Sequence, residues 1–123
     1  MEEQFQNQKY INIETFRKNG QGVKTPVWFA KNGEFFYVWT EADSGKAKRI
    51  RRDGAVKIVP ATASGKPLGK WVAAQATADA SPDSLGHITK LMQKKYGLSF
   101  YAFGLMGKLR KANYTAIKLK IDD

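Results

Sequence analysis

The run Asp43-Ser44-Gly45-Lys46-Ala47-Lys48-Arg49-Ile50-Arg51-Arg52-Asp53 is the stretch whose residue types and spacing best suit an anion. Ser44 is a natural N-cap, which predicts a short helix behind it. Five cations then crowd into barely two turns, beginning in the first, where the helix dipole favours negative charge. Asp53 sits near the far end, where the dipole favours a cation. Such a segment makes physical sense if an anion docks at its start. Free backbone N–H groups, the small Gly45 and a nearby ammonium together describe a phosphate seat. At about 100 degrees per residue, Ala47 and Ile50 form the inward face and Lys46 lies beside it. Lys48, Arg49 and Arg52 fall on the opposite side and, with Arg51, read as a solvated basic face. Lys46 is therefore the expected phosphate ligand, with Ser44 and the N–H groups around Gly45 as co-donors.

Thr25-Pro26-Val27-Trp28 is a second candidate. A proline-interrupted strand leaves backbone groups that could hydrogen-bond the edge of a flat heterocycle, and Trp28 offers a wall. Spacing alone favours burial of Trp28 in a core or dimer interface. Lys70-Trp71, after a glycine-rich turn, suits either the rim of a site or an ordinary strand start.

Other chemistries are excluded by what the chain lacks. His87 is the only histidine and cysteine is absent, so neither a multi-histidine nor a thiolate metal site can form. Asp83, Ser84 and His87 share one helix start rather than converging on a nucleophile. No pair of acids is marked out as a glycosidase dyad. Neither a Walker lysine motif nor a dinucleotide-binding glycine pattern occurs. No residue is assigned a catalytic role, and any redox chemistry would belong to a cofactor.

The elements that must position these residues are short. The chain has 123 residues, which fits one domain. Tyr10 to Phe16 reads as a first strand. Val23, Thr25, Val27 and Phe29 alternate with Lys24, Pro26, Trp28 and Ala30 in a second, where Pro26 marks an edge, a bulge or a departure from the ladder. Asn32-Gly33 makes a tight hairpin into Phe35 to Thr40, a strand apolar on both faces. Such a strand needs cover on both sides, and the expected second cover is another subunit or a planar ligand. Ala55 to Ala61 and Trp71 to Ala78 follow. Ser81-Pro82-Asp83-Ser84 starts a helix with Leu85, Ile88, Leu91 or Met92, and Tyr96 on one face, closed by Gly97. Tyr101 to Lys111 is open between a short helix and a loop, and Tyr114 to Ile121 is a last strand. Six strands with hairpins too short for parallel crossovers predict a small antiparallel barrel.

The formal net charge is +10, from 21 Lys and Arg against 11 Asp and Glu, which implies nucleic acid, acidic lipid or a phosphorylated small molecule as partner. The start of the chain is polar and acidic, unlike a signal peptide, and no apolar run is long enough to span a membrane. A cytoplasmic location is the expectation.

Five segments in order carry a resemblance: Thr15 to Gly20, Thr25 to Phe29, Tyr37 to Thr40, Ser44 to Arg49 and Gly65 to Val72. Together they resemble the pyridoxamine 5′-phosphate oxidase-related split-barrel flavoproteins, most closely the deazaflavin (coenzyme F-420) dependent oxidoreductase branch. The resemblance implies a six-stranded split barrel that forms a homodimer, with FMN or coenzyme F-420 in clefts at the interface. It places Lys24, Thr25, Pro26, Val27 and Trp28 along the ring of the cofactor. Trp39 and Thr40 would help place the ribityl-phosphate chain, Ser44, Gly45 and Lys46 would hold the phosphate, and Lys70 and Trp71 would approach from the fifth strand. Gly45 stands where oxidases of pyridoxamine phosphate carry an arginine before the lysine, and their C-terminal substrate-binding residues have no evident counterpart. This argues against vitamin B6 oxidase activity. The leading expectation is an oxidoreductase that moves a hydride between FMN or F-420 and a small molecule. A non-catalytic flavin-binding or storage module is the alternative, followed by nucleic-acid binding, which lacks a recognisable reader motif.

Overall fold

The computed structural model describes residues 2–98 and 114–122. The ambiguous stretch 101–111 lies outside the described residues. After a 3-10 turn at Glu2–Phe5 come β1 (Tyr10–Phe16), β2 (Gly22–Trp28), β3 (Ala30–Asn32) and β4 (Phe35–Glu41). Helix α1 (Gly45–Arg52), β5 (Ala55–Ala61), β6 (Val72–Asp79), α2 (Pro82–Tyr96) and β7 (Tyr114–Ile121) complete the order. The strands form one sheet in the order β2-β1-β5-β6-β7-β4-β3, with every pairing antiparallel.

Consecutive strands β2 and β3 therefore lie at opposite ends of the sheet. Their separation corrects the sequence reading, which ran one strand from Val23 to Ala30 and counted six in all; the described residues form seven. The alternation continues across Phe29, but the pairing partner changes there, and periodicity does not encode partners. Phe29 and Ala30 are both buried, on opposite faces, Phe29 in the barrel core and Ala30 in a second cluster. Ala30 pairs with Tyr37 on β4, so the same register would set Trp28 against Trp39. Trp28 pairs instead with Tyr10 on β1. The barrel is split along this seam. Pro26 lies in edge strand β2, as expected of a residue with no N–H to give a ladder.

Ile11, Ile13, Phe36, Val38, Ile58, Ile117 and Leu119 fill the interior and are all fully buried. Phe5 joins this core edge-on to Phe36, with ring centroids 5.0 Å apart. Ile50 of α1 belongs to the same core. Each such side chain stabilises the fold by about 1.5–3 kcal/mol relative to an exposed one. Helix α2 starts at Ser81, whose side chain accepts from the Ser84 N–H, and stops at Gly97 with φ +58°. Its Ile88 and Met92 pack on Ala30, Tyr37, Trp39 and Ala116. Helix α2 supplies part of the second cover of β4, over Tyr37 and Trp39, and both rings stay half-buried.

Candidate functional site

Two neighbouring features make up the site, and β4 connects them. Phe36, Val38 and Thr40 alternate into the buried side of β4, while Phe35, Tyr37 and Trp39 face outward. Trp39 reaches the seam, where a cleft of about 320 Å³ is lined by Tyr10, Pro26, Val27, Trp28, Trp39 and Met92. The next residue, Thr40, points the other way and brings its Oγ1 within 3.4 Å of Ser44 Oγ. Ser44 caps α1 by accepting from the Ala47 N–H at 3.1 Å. One step along a strand thus separates an aromatic slot from a helix N-terminus.

The end of α2 packs against the Trp28 wall of the slot. The Tyr96 ring lies parallel to that of Trp28, with centroids 4.3 Å apart and planes 7° from parallel. The Tyr96 hydroxyl accepts from the Phe29 N–H at 3.0 Å. Its own proton can go to the Lys9 carbonyl at 2.6 Å or the Phe29 carbonyl at 2.8 Å. Burial raises this phenol above its ordinary range, with the Phe29 contact opposing the shift. Lys95 Nζ donates to the Phe29 carbonyl at 2.7 Å and stands 3.4 Å from the centre of the Phe29 ring. Burial pushes its ammonium down to about 8. The backbone that switches strands at Phe29 is therefore satisfied by side chains, as buried peptide groups must be.

Around α1 the charges are unbalanced. Lys46 is half-buried, and its ammonium is pushed down first by that burial and then by Arg49. Arg49 is itself depressed by burial, Arg17 and Arg52. Among the described residues none of these four cations has an ion-pair partner. Lys48, Arg51 and Arg52 are exposed, as expected of a solvated face, whereas Arg49 is half-buried, and the three arginines also bond back to the protein. Arg49 Nε donates to buried Thr15 Oγ1 at 2.7 Å, Arg51 to the Ala42 carbonyl at 2.8 Å, and Arg52 to the Phe16 carbonyl. Long side chains can bend back to satisfy strand-end carbonyls, which a helical wheel does not register. Lys48 alone of the four keeps an exposed side chain with no such bond among the described residues.

The twelve residues expected to hold a cofactor thus fall into groups. Pro26, Val27, Trp28 and Trp39 meet in the seam cleft. Thr40, Ser44, Gly45 and Lys46 gather at the start of α1. Lys24 lies with its Nζ 5.3 Å from the centre of the Trp71 ring, and Lys70 is tied through its backbone to the Gln4 side chain. These three, and Thr25, are not among the cleft-lining residues. A Cβ on Gly45 would meet only the mobile end of Arg49. Sequence reasoning missed Tyr10 and gave Lys95 and Tyr96 no role at the slot. The signal was Tyr96 in the last turn before Gly97, at the end of the apolar stripe of α2.

No protein-family model matches the chain, and no curated protein matches it. Solved structures do. The heme storage protein HutZ from Vibrio cholerae superposes with a TM-score of 0.74 at 14% identity, covering 99% of this chain and 87% of that one. A structure named F420 reductase gives 0.64 at 16% identity, covering 99% and 93%. A candidate pyridoxamine 5′-phosphate oxidase from Listeria innocua gives 0.64 at 10% identity, covering 94% and 85%. The fold is that of the pyridoxamine 5′-phosphate oxidase-like split-barrel proteins, a mainly β antiparallel half-barrel, with two α-helices among the described residues. Within that fold the neighbours carry names from both deazaflavin and heme biology, so the site must decide the ligand.

Proposed function

We propose that the seam cleft and the start of α1 together bind a phosphorylated flavin or deazaflavin, FMN or coenzyme F-420, and that the protein is an oxidoreductase acting through it. The observation that carries this reading is the junction at Trp39-Thr40, which sets an aromatic slot beside a helix N-terminus whose half-buried Lys46 has no ion-pair partner among the described residues. The donor set suits a phosphate or phosphodiester: a capping hydroxyl at Ser44, backbone N–H groups from Gly45 and a half-buried ammonium at Lys46. Trp28 and Trp39 would flank the ring, with Pro26 and Val27 along its edge. The cleft lining is aromatic and apolar, so these residues would position the ring and exclude water. The bound ring would supply the hydride chemistry with a small molecule. A homodimer would complete the site, giving Lys24, Lys70 and Trp71 a place near it.

The test is a set of separate titrations of the purified protein with FMN, F-420 and hemin, followed by absorbance. Saturable binding of FMN or F-420 that Lys46→Ala weakens about tenfold or more supports the reading. Hemin binding without either flavin overturns it. Flavin binding without turnover, across a range of acceptors, would reduce the protein to a carrier.

A further inference from the structure

The turn between β1 and β2 and one side of α1 gather five cations, all exposed except the half-buried Arg49. Arg17 and Lys18 open the turn. Its backbone is fixed by bonds from the Gly20 N–H to the Arg17 carbonyl and from the Arg17 N–H to the Gln21 carbonyl, both 2.9 Å. Lys48, Arg49 and Arg52 share one side of α1, at spacings of three and four residues. Arg49 and Arg52 reach the end of β1, where they donate to Thr15 Oγ1 and to the Phe16 carbonyl. The helix is thereby tied to the strand that leads into the turn. A guanidinium carries five N–H donors, and each of these two spends one in this way, so most remain unused among the described residues.

Crowding of this kind works against the fold. Like charges three and four residues apart destabilise a helix, and α1 has no acid in its first turn to offset them. The Arg49 guanidinium is held below its usual range first by burial, then by repulsion from Arg17 and Arg52. None of the five has an ion-pair partner among the described residues. The acids of these elements are placed otherwise. Asp53 closes α1, with its Oδ1 accepting from the Ala55 N–H at 3.1 Å. Asp43 precedes the Ser44 cap, at the end of the helix away from Arg52. Glu14, whose carboxylate lies against Gly22, has two lysines of its own in register, Lys24 and Lys57.

We propose that this cluster is a docking surface for the sugar–phosphate backbone of a nucleic-acid duplex, bound without regard to sequence. A duplex carries about one negative charge per 1.7 Å of axis on a rigid frame, which suits cations already held in place at Thr15 and Phe16. None of the five residues lines the seam cleft or either of two cavities of about 510 Å³, so no such enclosure selects a small phosphorylated molecule. Neither the turn nor the helix contains an aromatic residue, so the bases of a single strand would have nothing to stack on. The exposed large apolar residues among the described ones are Leu68 and Leu98, on neither element, so a lipid surface would find no anchor. Contacts that stop at phosphates also agree with the lack of a base-reading motif. The surface uses none of the residues assigned to the cofactor and stands independently of that reading.

Fluorescence anisotropy of short labelled DNA duplexes, followed over a salt series, tests the proposal. Duplexes of unrelated sequence should bind with similar affinity, and the logarithm of the binding constant should fall linearly with the logarithm of salt concentration. The double variant Lys18→Gln/Lys48→Gln should weaken binding about tenfold or more and flatten the salt slope by about two. Both side chains are exposed and make no bond among the described residues, so the variant should fold, and its melting temperature checks that. Lys118→Gln/Lys120→Gln removes the same charge from exposed positions on β7 and should cost far less. No binding at low salt, equal losses in the two double variants, tighter binding of the single strand, or preference for vesicles of phosphatidylserine and phosphatidylcholine would each overturn the proposal.

Discussion

Lys46 and Arg51 sit on the same eight-residue helix, yet their surroundings assign them different work. The Lys46 ammonium is half-desolvated beside Arg49 with no counter-ion among the described residues, a cost that a bound phosphate would offset. Arg51 is exposed and already occupied by the Ala42 carbonyl. A hydrogen bond to a charged group is worth about 1.5–3 kcal/mol, so Lys46→Ala should raise the FMN or F-420 dissociation constant about tenfold or more. Arg51→Ala should change it less than about twofold. Equal losses would show that the helix binds as an undifferentiated basic patch. Tyr96 is the other discriminating residue. Tyr96→Phe keeps the ring against Trp28 and loses the bonds to Phe29 and Lys9, whereas Tyr96→Leu loses the stacked ring as well. If Tyr96 positions Trp28, Leu should weaken flavin quenching of tryptophan fluorescence well beyond Phe at matched melting temperature. At this scale the sequence showed the cap, the inward Ala47 and Ile50, and the apolar alternation. It could not show which arginines bend back, because that depends on the Thr15 hydroxyl and Phe16 carbonyl of β1 and on the Ala42 carbonyl.

At the scale of elements, the last turn of α2 works as a clamp on the strand switch, and its charge should be visible in stability. Lys95 has a folded-state value of about 8 against 10.5 for an unhindered lysine. Below about pH 8 both folded and unfolded chains hold this proton. Between those two values the unfolded chain binds it more, so the Lys95 contribution to stability improves as pH rises through that window. Replacing the ammonium with an isosteric apolar chain in Lys95→Met should therefore flatten the upward slope. Urea unfolding of wild type and variant at about pH 7 and about pH 10 checks the difference. Identical slopes would mean that the carbonyl and ring of Phe29 compensate the buried charge fully. The clamp also explains which part of the fold was hard to read. Ser81, Pro82 and Gly97 announce α2 locally, and Asn32-Gly33 announces its hairpin. The exchange of partners at Phe29 has no local signature, since it is decided by Tyr10 and Tyr37 at opposite ends of the sheet.

For the whole molecule, the open question of assembly bears directly on the site. A barrel split at Trp28 and Trp39 leaves aromatic surface half-exposed beside the edge strand β2, and Leu68 is 52% exposed on the loop before β6. The charged Lys24 and the Pro26 in β2 discourage continuation of the sheet through that edge, so a second copy would pack face to face rather than strand to strand. Standard interfaces cover about 800 Å² per partner, roughly a tenth of the 7405 Å² surface of this chain. Light scattering should give twice the 13.8 kDa chain mass, with one cofactor bound per chain. Flavin titrations across a dilution series then separate two arrangements. If the cleft is complete within one chain, affinity stays constant as the dimer dissociates. If Lys24, Lys70 and Trp71 act on a cofactor only in the assembled dimer, affinity falls in step with dissociation, and Trp71→Ala weakens the dimer-bound state while leaving the residual monomer affinity unchanged. A stable monomer with full affinity would remove those three residues from the site and leave the seam and the start of α1 to hold the cofactor alone.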